Sequence, residues 1–189
     1  MYEYISGKLA SLTPATAVVD CGGVGYLLEI SLTTYSAIQE RQEVRLWVHE
    51  IIREDAHLLY GFFSLQEREM FRLLLGVNGV GAATARMMLS SLSVEELTNA
   101  IASQDAKMVQ RVKGVGAKTA QRIVLELQDK VSAMGMATAT PTVSNQNKEE
   151  ALSALVMLGF PKAAAEKVLG TLEATLSVEA LIKEALKKL

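Results

Sequence analysis

The chain has 189 residues, a net charge of −2, a pI near 5.8 and a single cysteine, Cys21; half of its residues are hydrophobic and 5% are aromatic. This balance excludes a generic polyanion binder, so any affinity for nucleic acid must come from a local patch. One cysteine excludes an intrachain disulfide framework and fits a reducing compartment. The length allows one large domain or two to three small ones. No signal peptide or 18-residue apolar run stands in the sequence, which leads to the expectation of a cytoplasmic protein without membrane partners.

Residues 1–63 read as strands. Short β-type runs at 2–9, 15–19, 25–30, 44–52 and 56–60 are separated by turn signals such as Thr13-Pro14, Gly22-Gly23 and Arg53-Glu54-Asp55. Five short strands in sixty residues predict a small barrel of OB type, with residues 31–39 as a short helix. Gly22, Gly23 and Gly25 are expected as turn and bulge glycines. Glu54 and Asp55 fall at the tip of the last hairpin, which by itself means only a solvated acidic loop. His49 and His57 have no cysteine or carboxylate cluster at metal-ligand spacing, so neither a metal nor a catalytic site is expected.

Residues 64–131 read as helices. Ser64–Glu67 and Ser93–Glu96 both have capping-box spacing. Between them and beyond, the chain repeats itself: residues 77–85 are VNGVGAATA and residues 112–120 are VKGVGAKTA, seven identities in nine at an offset of 35. Apolar helical patterns flank each copy, so each is a helix, a Gly-x-Gly turn and a helix. The first N–H groups of a helix lack intrahelical partners and lie at its positive dipole end, where phosphate binds. Gly79, Val80 and Gly81, then Gly114, Val115 and Gly116, are thus the expected phosphate-binding edges of a tandem helix-hairpin-helix module. Thr84 and Thr119 stand where a dinucleotide motif would need its third glycine, and Ala117 breaks any P-loop reading before Lys118.

Charge separates the two copies. Residues 1–63 carry four basic and eight acidic side chains, whereas residues 64–131 carry nine and seven. The basic excess gathers around the second turn at Lys107, Arg111, Lys113, Lys118 and Arg122, with Asp105 as the expected counter-charge. Lys118, Thr119 and Arg122 are the expected DNA contacts there. The first copy has Ala82 and Ala83 beside its turn and only Arg86 nearby, so it is expected to hold phosphate mainly through backbone.

From Val131 to Asn147, seventeen residues pass without a charge or an aromatic. Residues 132–146 are therefore expected to be a flexible linker spanning roughly 20–25 Å as a coil. Residues 147–189 read as a compact three-helix unit. Its first helix is expected to start at Asn147–Glu150, the second at Phe160-Pro161 and the third, which carries Leu181, Ile182, Leu186 and Leu189, at Ser177. The Leu158-Gly159-Phe160 turn resembles the loop of ubiquitin-associated-type modules, which bind protein partners; Phe160 also reads as core.

CGGVGY (21–26), REDAHLLYGF (53–62), NGVG (78–81) and VKGVGAKTAQRIVLEL (112–127), taken with the order barrel, tandem hairpins, linker and three-helix tail, resemble the RuvA family of bacterial Holliday-junction branch-migration subunits along the whole chain. The resemblance implies an α+β multidomain homotetramer, with an octamer on DNA left open, that holds a four-way junction in a square-planar form. It implies that Glu54 and Asp55 form an acidic pin near the junction centre. It also implies that the tail, through Leu158 and Phe160, engages the RuvB hexameric ATPase, with the RuvC resolvase as a third partner, in recombination, DNA repair and the SOS response. No cofactor and no catalytic activity of its own are implied. Two other classes compete with it. A structure-specific nuclease or glycosylase would need a carboxylate–metal cluster or a base-flipping pocket, and a pure interaction scaffold would show no salt-dependent affinity for DNA.

Overall fold

The computed structural model describes residues 1–133, 143–172 and 176–188. They divide between two compact units, Met1–Ala137 and Thr138–Leu189.

The first unit opens with β1 (Tyr4–Leu12), β2 (Thr16–Cys21), β3 (Val24–Ile30), α1 (Leu32–Ile38), β4 (Glu43–Ile52) and β5 (His57–Phe62). The strands close into a barrel in the order β1-β2-β3-β5-β4, with β3 and β5 parallel and the other pairs antiparallel. Inward positions alternate as the pleat requires: Val44, Leu46 and Val48 join Ile5, Ala17, Val19, Leu28 and Ile30, and Ile38 of α1 completes this core. That is the expected OB-type barrel, with its helix between β3 and β4. Gly22 and Gly23 form the β2–β3 turn, both at positive φ (67° and 94°), which a two-residue hairpin turn demands. Gly25 is no bulge; it pairs in register with Asp20, and the ladder irregularity lies in β1 between Leu9 and Ser11.

The helical half follows as α2 (Leu65–Leu75), α3 (Ala82–Ser91), α4 (Val94–Ala102), α5 (Ala106–Gln110) and α6 (Ala117–Ala133). Ser93 and Glu96 make the complete capping box. The Ser64 box is only half made. Its hydroxyl accepts from Glu67 N–H at 3.1 Å, but the Glu67 carboxylate turns away and accepts from the hydroxyls of Ser31 and Thr34. Tertiary contact prevails over the local motif there because both hydroxyls are fully buried and need a partner.

The barrel and the hairpins, expected as separate stretches at 1–63 and 64–131, pack as one unit. Phe71 of α2 meets Tyr60, Phe62 and His49 at ring-centroid distances of 5.0, 4.9 and 5.5 Å. Arg68, 4% exposed, donates to the Glu3 carbonyl and carboxylate at 3.0 and 2.7 Å and lies over Trp47. The outward face of β5 is therefore covered, with Trp47, His49 and Ile51 of β4 half-buried beside it, which is why β5 is buried on both sides from Leu59 to Phe62.

The second unit holds α7 (Val143–Met157), α8 (Lys162–Gly170) and α9 (Val178–Leu186) around Ala151, Leu155, Ala165, Leu169, Leu181 and Ala185. Helix α7 begins four residues before the expected start at Asn147, which lies inside it and donates to the Leu176 carbonyl at 3.0 Å. The expected linker thus shortens at both ends, since α6 continues to Ala133; its middle and Leu189 lie outside the described residues.

Candidate nucleic-acid interface

The sequence repeat is reproduced bond for bond. In the first turn, Gly76 N–H donates to Leu73 (3.1 Å), Val77 to Leu74 (3.1 Å), Val80 to Val77 (3.0 Å) and Ala85 to Gly81 (2.9 Å). In the second, Arg111 donates to Met108 (3.2 Å), Val112 to Val109 (3.3 Å), Val115 to Val112 (3.1 Å) and Ala120 to Gly116 (2.9 Å). Gly79 and Gly114 both sit at φ 91°, a conformation that L side chains rarely adopt.

Gly81 and Gly116 are a different case. Gly81 has extended backbone (φ −91°, ψ 170°) as the N-cap of α3, and a Cβ at either glycine would meet nothing within 4 Å. The fold does not need glycine at these two positions. Their bareness leaves an open backbone surface at each helix start, which is what a phosphate approaching the free N–H groups requires.

Val80 and Val115 serve the turn itself. Each side chain is 6% exposed, and each N–H is used inside its turn. They are the apolar pegs that seat the two Gly-x-Gly corners on the helical core, and their amides are not available to a ligand.

The two turns are also joined. Arg122, on the second turn of α6, donates from Nη1 to the Asn78 carbonyl at 3.0 Å, and Thr119 Oγ1 lies 3.9 Å from where a Cβ on Gly79 would stand. The first Gly-x-Gly corner therefore rests on the start of α6. Arg122 also has Glu126 Oε1 at 3.8 Å, a counter-charge beyond the expected Asp105. That pair was legible at i, i+4; the Asn78 contact, spanning 44 positions, left no local signal.

Lys107, Arg111, Lys113 and Lys118 are exposed around the second turn. Among the described residues neither Lys113 nor Lys118 has a carboxylate within ion-pair distance. The first hairpin brings no cation of its own to its turn, whose Asn78 carbonyl is met by Arg122 of α6, because Arg86 points elsewhere. Its Nη1 meets Glu29 Oε2 at 2.6 Å and the carbonyls of Ala15 and Ile30 at 2.9 and 3.4 Å, all on the barrel. The expectation of Arg86 as a phosphate contact did not anticipate this partner set.

Glu54 and Asp55 are exposed at the tip of the β4–β5 hairpin, closed by an Arg53 N–H bond to the Ala56 carbonyl at 2.8 Å. In the tail, Gly159 (φ 97°) ends α7 with a Schellman pair, Phe160 N–H to Leu155 at 3.1 Å and Gly159 N–H to Val156 at 3.0 Å. Phe160 packs on the tail core, whereas Val156, Met157 and Leu158 stand 41%, 86% and 62% exposed.

Among the described residues no group of three or more His, Cys, Asp or Glu is placed to hold a metal ion, and no helix is long and apolar enough to cross a membrane. Cys21, half-buried, donates to the Ser6 carbonyl at 3.2 Å.

Comparison with known proteins agrees with this geometry segment by segment. The RuvA N-terminal domain family matches residues 1–61, the SAM-like helix-hairpin-helix tandem residues 71–129, and the RuvA C-terminal domain residues 146–189. The chain is 49% identical to the Holliday junction branch migration complex subunit RuvA of Bacteroides thetaiotaomicron over 201 aligned positions, and 48% identical to that of Christiangramia forsetii over 193. A third such subunit, from Parabacteroides distasonis, is 49% identical over 196 positions; each alignment covers 100% of both chains. The three domain families in this order, together with full-length relatives near half identity, place the chain in the RuvA family of Holliday junction branch migration complex subunits.

Proposed function

We propose that the chain binds four-way junction DNA as a homotetramer, holds the junction open in a square-planar form, and recruits and stimulates the RuvB hexameric ATPase during recombination and repair. The observation that carries this reading is the pair of matched turns, whose bare Gly81 and Gly116 corners lie at two joined helix starts. Each would take one backbone phosphate, so a subunit grips one duplex arm without reading its sequence. Gly79 and Gly114 shape the corners, Val80 and Val115 seat them, and Lys113, Lys118 and Thr119 add side-chain contacts at the second. Arg122 aligns the corners.

Glu54 and Asp55 act as the acidic pin. In a four-fold assembly they place eight carboxylates where strands exchange, and like charge keeps phosphates from collapsing there. The exposed Val156-Met157-Leu158 run offers the motor an apolar contact, with Phe160 holding the loop from beneath. The chain supplies no ATP hydrolysis of its own in this scheme; RuvB does, and RuvC cuts the junction afterwards.

The test is a gel shift of the full chain with a synthetic four-way junction against linear duplex at two salt concentrations. Junction preference that weakens with salt supports the reading. Equal or absent binding to both DNAs overturns it and leaves the scaffold class standing.

A further inference from the structure

Helix α3 carries the first phosphate-binding corner at its N-terminus, so whatever aims α3 aims that corner. One stripe of the helix is docked on the barrel. Arg86 reaches three acceptors from two barrel segments: the Glu29 carboxylate at 2.6 Å, the Ala15 carbonyl at 2.9 Å and the Ile30 carbonyl at 3.4 Å. One turn later the Leu89 carbonyl accepts from Thr33 Oγ1 at 2.7 Å. Ser90 Oγ accepts from Leu32 N–H at 3.0 Å while donating to the Arg86 carbonyl at 2.8 Å. Positions 86, 89 and 90 share a helix face, and their partners across the seam lie in β3, in the β1–β2 turn and in the first two residues of α1.

We infer that Arg86 is a positioning residue for junction recognition: it locks α3 to the barrel and so sets the first phosphate-binding corner relative to the barrel's acidic tip. The inference rests on the junction-binding reading above. A linear duplex needs only the two corners, which Arg122 holds to each other. A junction needs the corners and the Glu54/Asp55 tip in one fixed arrangement, because arms and crossover are engaged together. Arg86 therefore governs the preference between the two DNAs rather than affinity for phosphate. All three contacts fall on Nη1, one bond farther from the backbone than a lysine Nζ, so an ammonium at this position falls short of the acceptors that the arginine reaches.

Three variants of the full chain, Arg86→Lys, Arg86→Met and Glu29→Gln, separate this role from that of a phosphate ligand. Anisotropy titrations of a four-way junction and of a linear duplex across a salt series supply the readout, with circular dichroism confirming the fold. The expected result is that all three lower the junction-over-duplex ratio, the arginine variants by about tenfold, mid-range for coupling between sites. The salt dependence on linear duplex stays that of the parent. A phosphate ligand behaves oppositely on every count. Lysine at 86 would keep the ratio, methionine would lower the salt slope by about 0.9 for each phosphate no longer neutralised, and Glu29→Gln would free the arginine and tighten both complexes. Any of those outcomes overturns the inference. Should Arg86→Met fail to fold, Arg86→Lys and Glu29→Gln decide by themselves, and an unchanged ratio in both overturns it. A parent chain without junction preference sinks the functional reading instead, before any variant is compared.

Discussion

The two hairpins have the same backbone and opposite allegiances. The first is bound to the barrel at both of its helices, through Glu67 and Arg68 on α2 and Arg86 on α3, and its corner carries Ala82 and Ala83 without a free cation. The second uses its charges outward: Lys113 and Lys118 stand exposed beside the corner, and only Arg122 turns in, toward the first corner. Identical turn geometry thus supports two tasks, because the turn is specified by the buried valines and the positive-φ glycine while the flanking side chains are free to differ. On the proposed reading the first hairpin sets direction and the second supplies electrostatic grip.

If that division holds, the largest effect comes from stripping the second corner. Lys113→Ala with Lys118→Ala should weaken junction binding by about tenfold per position and lower the salt slope by about 0.9 for each phosphate no longer neutralised. Titration at several salt concentrations measures both quantities. An unchanged slope would mean that these lysines face solvent and not DNA.

The glycines break the comparison along another axis. Gly81→Ala and Gly116→Ala meet open space, so thermal or denaturant unfolding should find them neutral or stabilised by up to about 1 kcal/mol, while a methyl group at the phosphate approach costs junction affinity about tenfold. Gly79→Ala and Gly114→Ala instead force a Cβ into φ 91° and should destabilise the fold by about 1–3 kcal/mol. Affinity loss without stability loss at 81 and 116 would mark ligand approach as the reason for those glycines. Wild-type affinity in both would show that the corners are only corners.

A smaller gain sharpens the contrast from the other side. Ala83 is exposed at the corner that has no lysine of its own, and Ala83→Lys should tighten junction and duplex alike by about threefold to tenfold, with a steeper salt slope, as one added phosphate contact requires. No gain in either DNA would place the first corner away from the backbone it is proposed to grip.

Much of this was legible in the residues. The barrel strands could be read from alternation such as Val44, Leu46 and Val48, and the hairpins from a 35-residue echo, because period and repetition are local or self-referential signals. The surroundings of Glu67 and Arg86 were hidden for one shared reason. Ser64–Glu67 looks like a finished capping box and Arg86 like a free cation, but each side chain is claimed by barrel residues 33 to 71 positions away. A single sequence carries no mark of such a partner. The early start of α7 was hidden differently: residues 143–146 have neither charge nor strong periodicity, so composition could not distinguish a helix start from linker.

The smallest expected effect concerns Glu67, and its sign follows from its surroundings. Burial pushes the Glu67 carboxyl above the usual carboxylate range, and the hydroxyls of Ser31 and Thr34 offset that only in part. A carboxyl whose pKa is higher folded than unfolded contributes stability that is fully present below the unfolded value and is lost as pH rises through the folded one. Raising pH from about 5 to neutrality should therefore cost this site stability. Other groups mask the trend in the whole protein: Glu3, held low by its Arg68 hydrogen bond, and His49, held low by burial with Arg72 and Arg68 nearby, both favour the folded chain at higher pH. The difference between parent and Glu67→Gln isolates it. The glutamine side chain cannot ionise, so the variant's stability relative to the parent should improve from about pH 5 to about pH 7.5, by about 1 kcal/mol or less. Urea unfolding of both chains at the two pH values reads that difference. A constant gap would mean that Glu67 titrates alike in folded and unfolded chains and that the barrel–α2 seam carries no proton-linked energy, whereas a gap moving the other way would mean that the two hydroxyls outweigh burial.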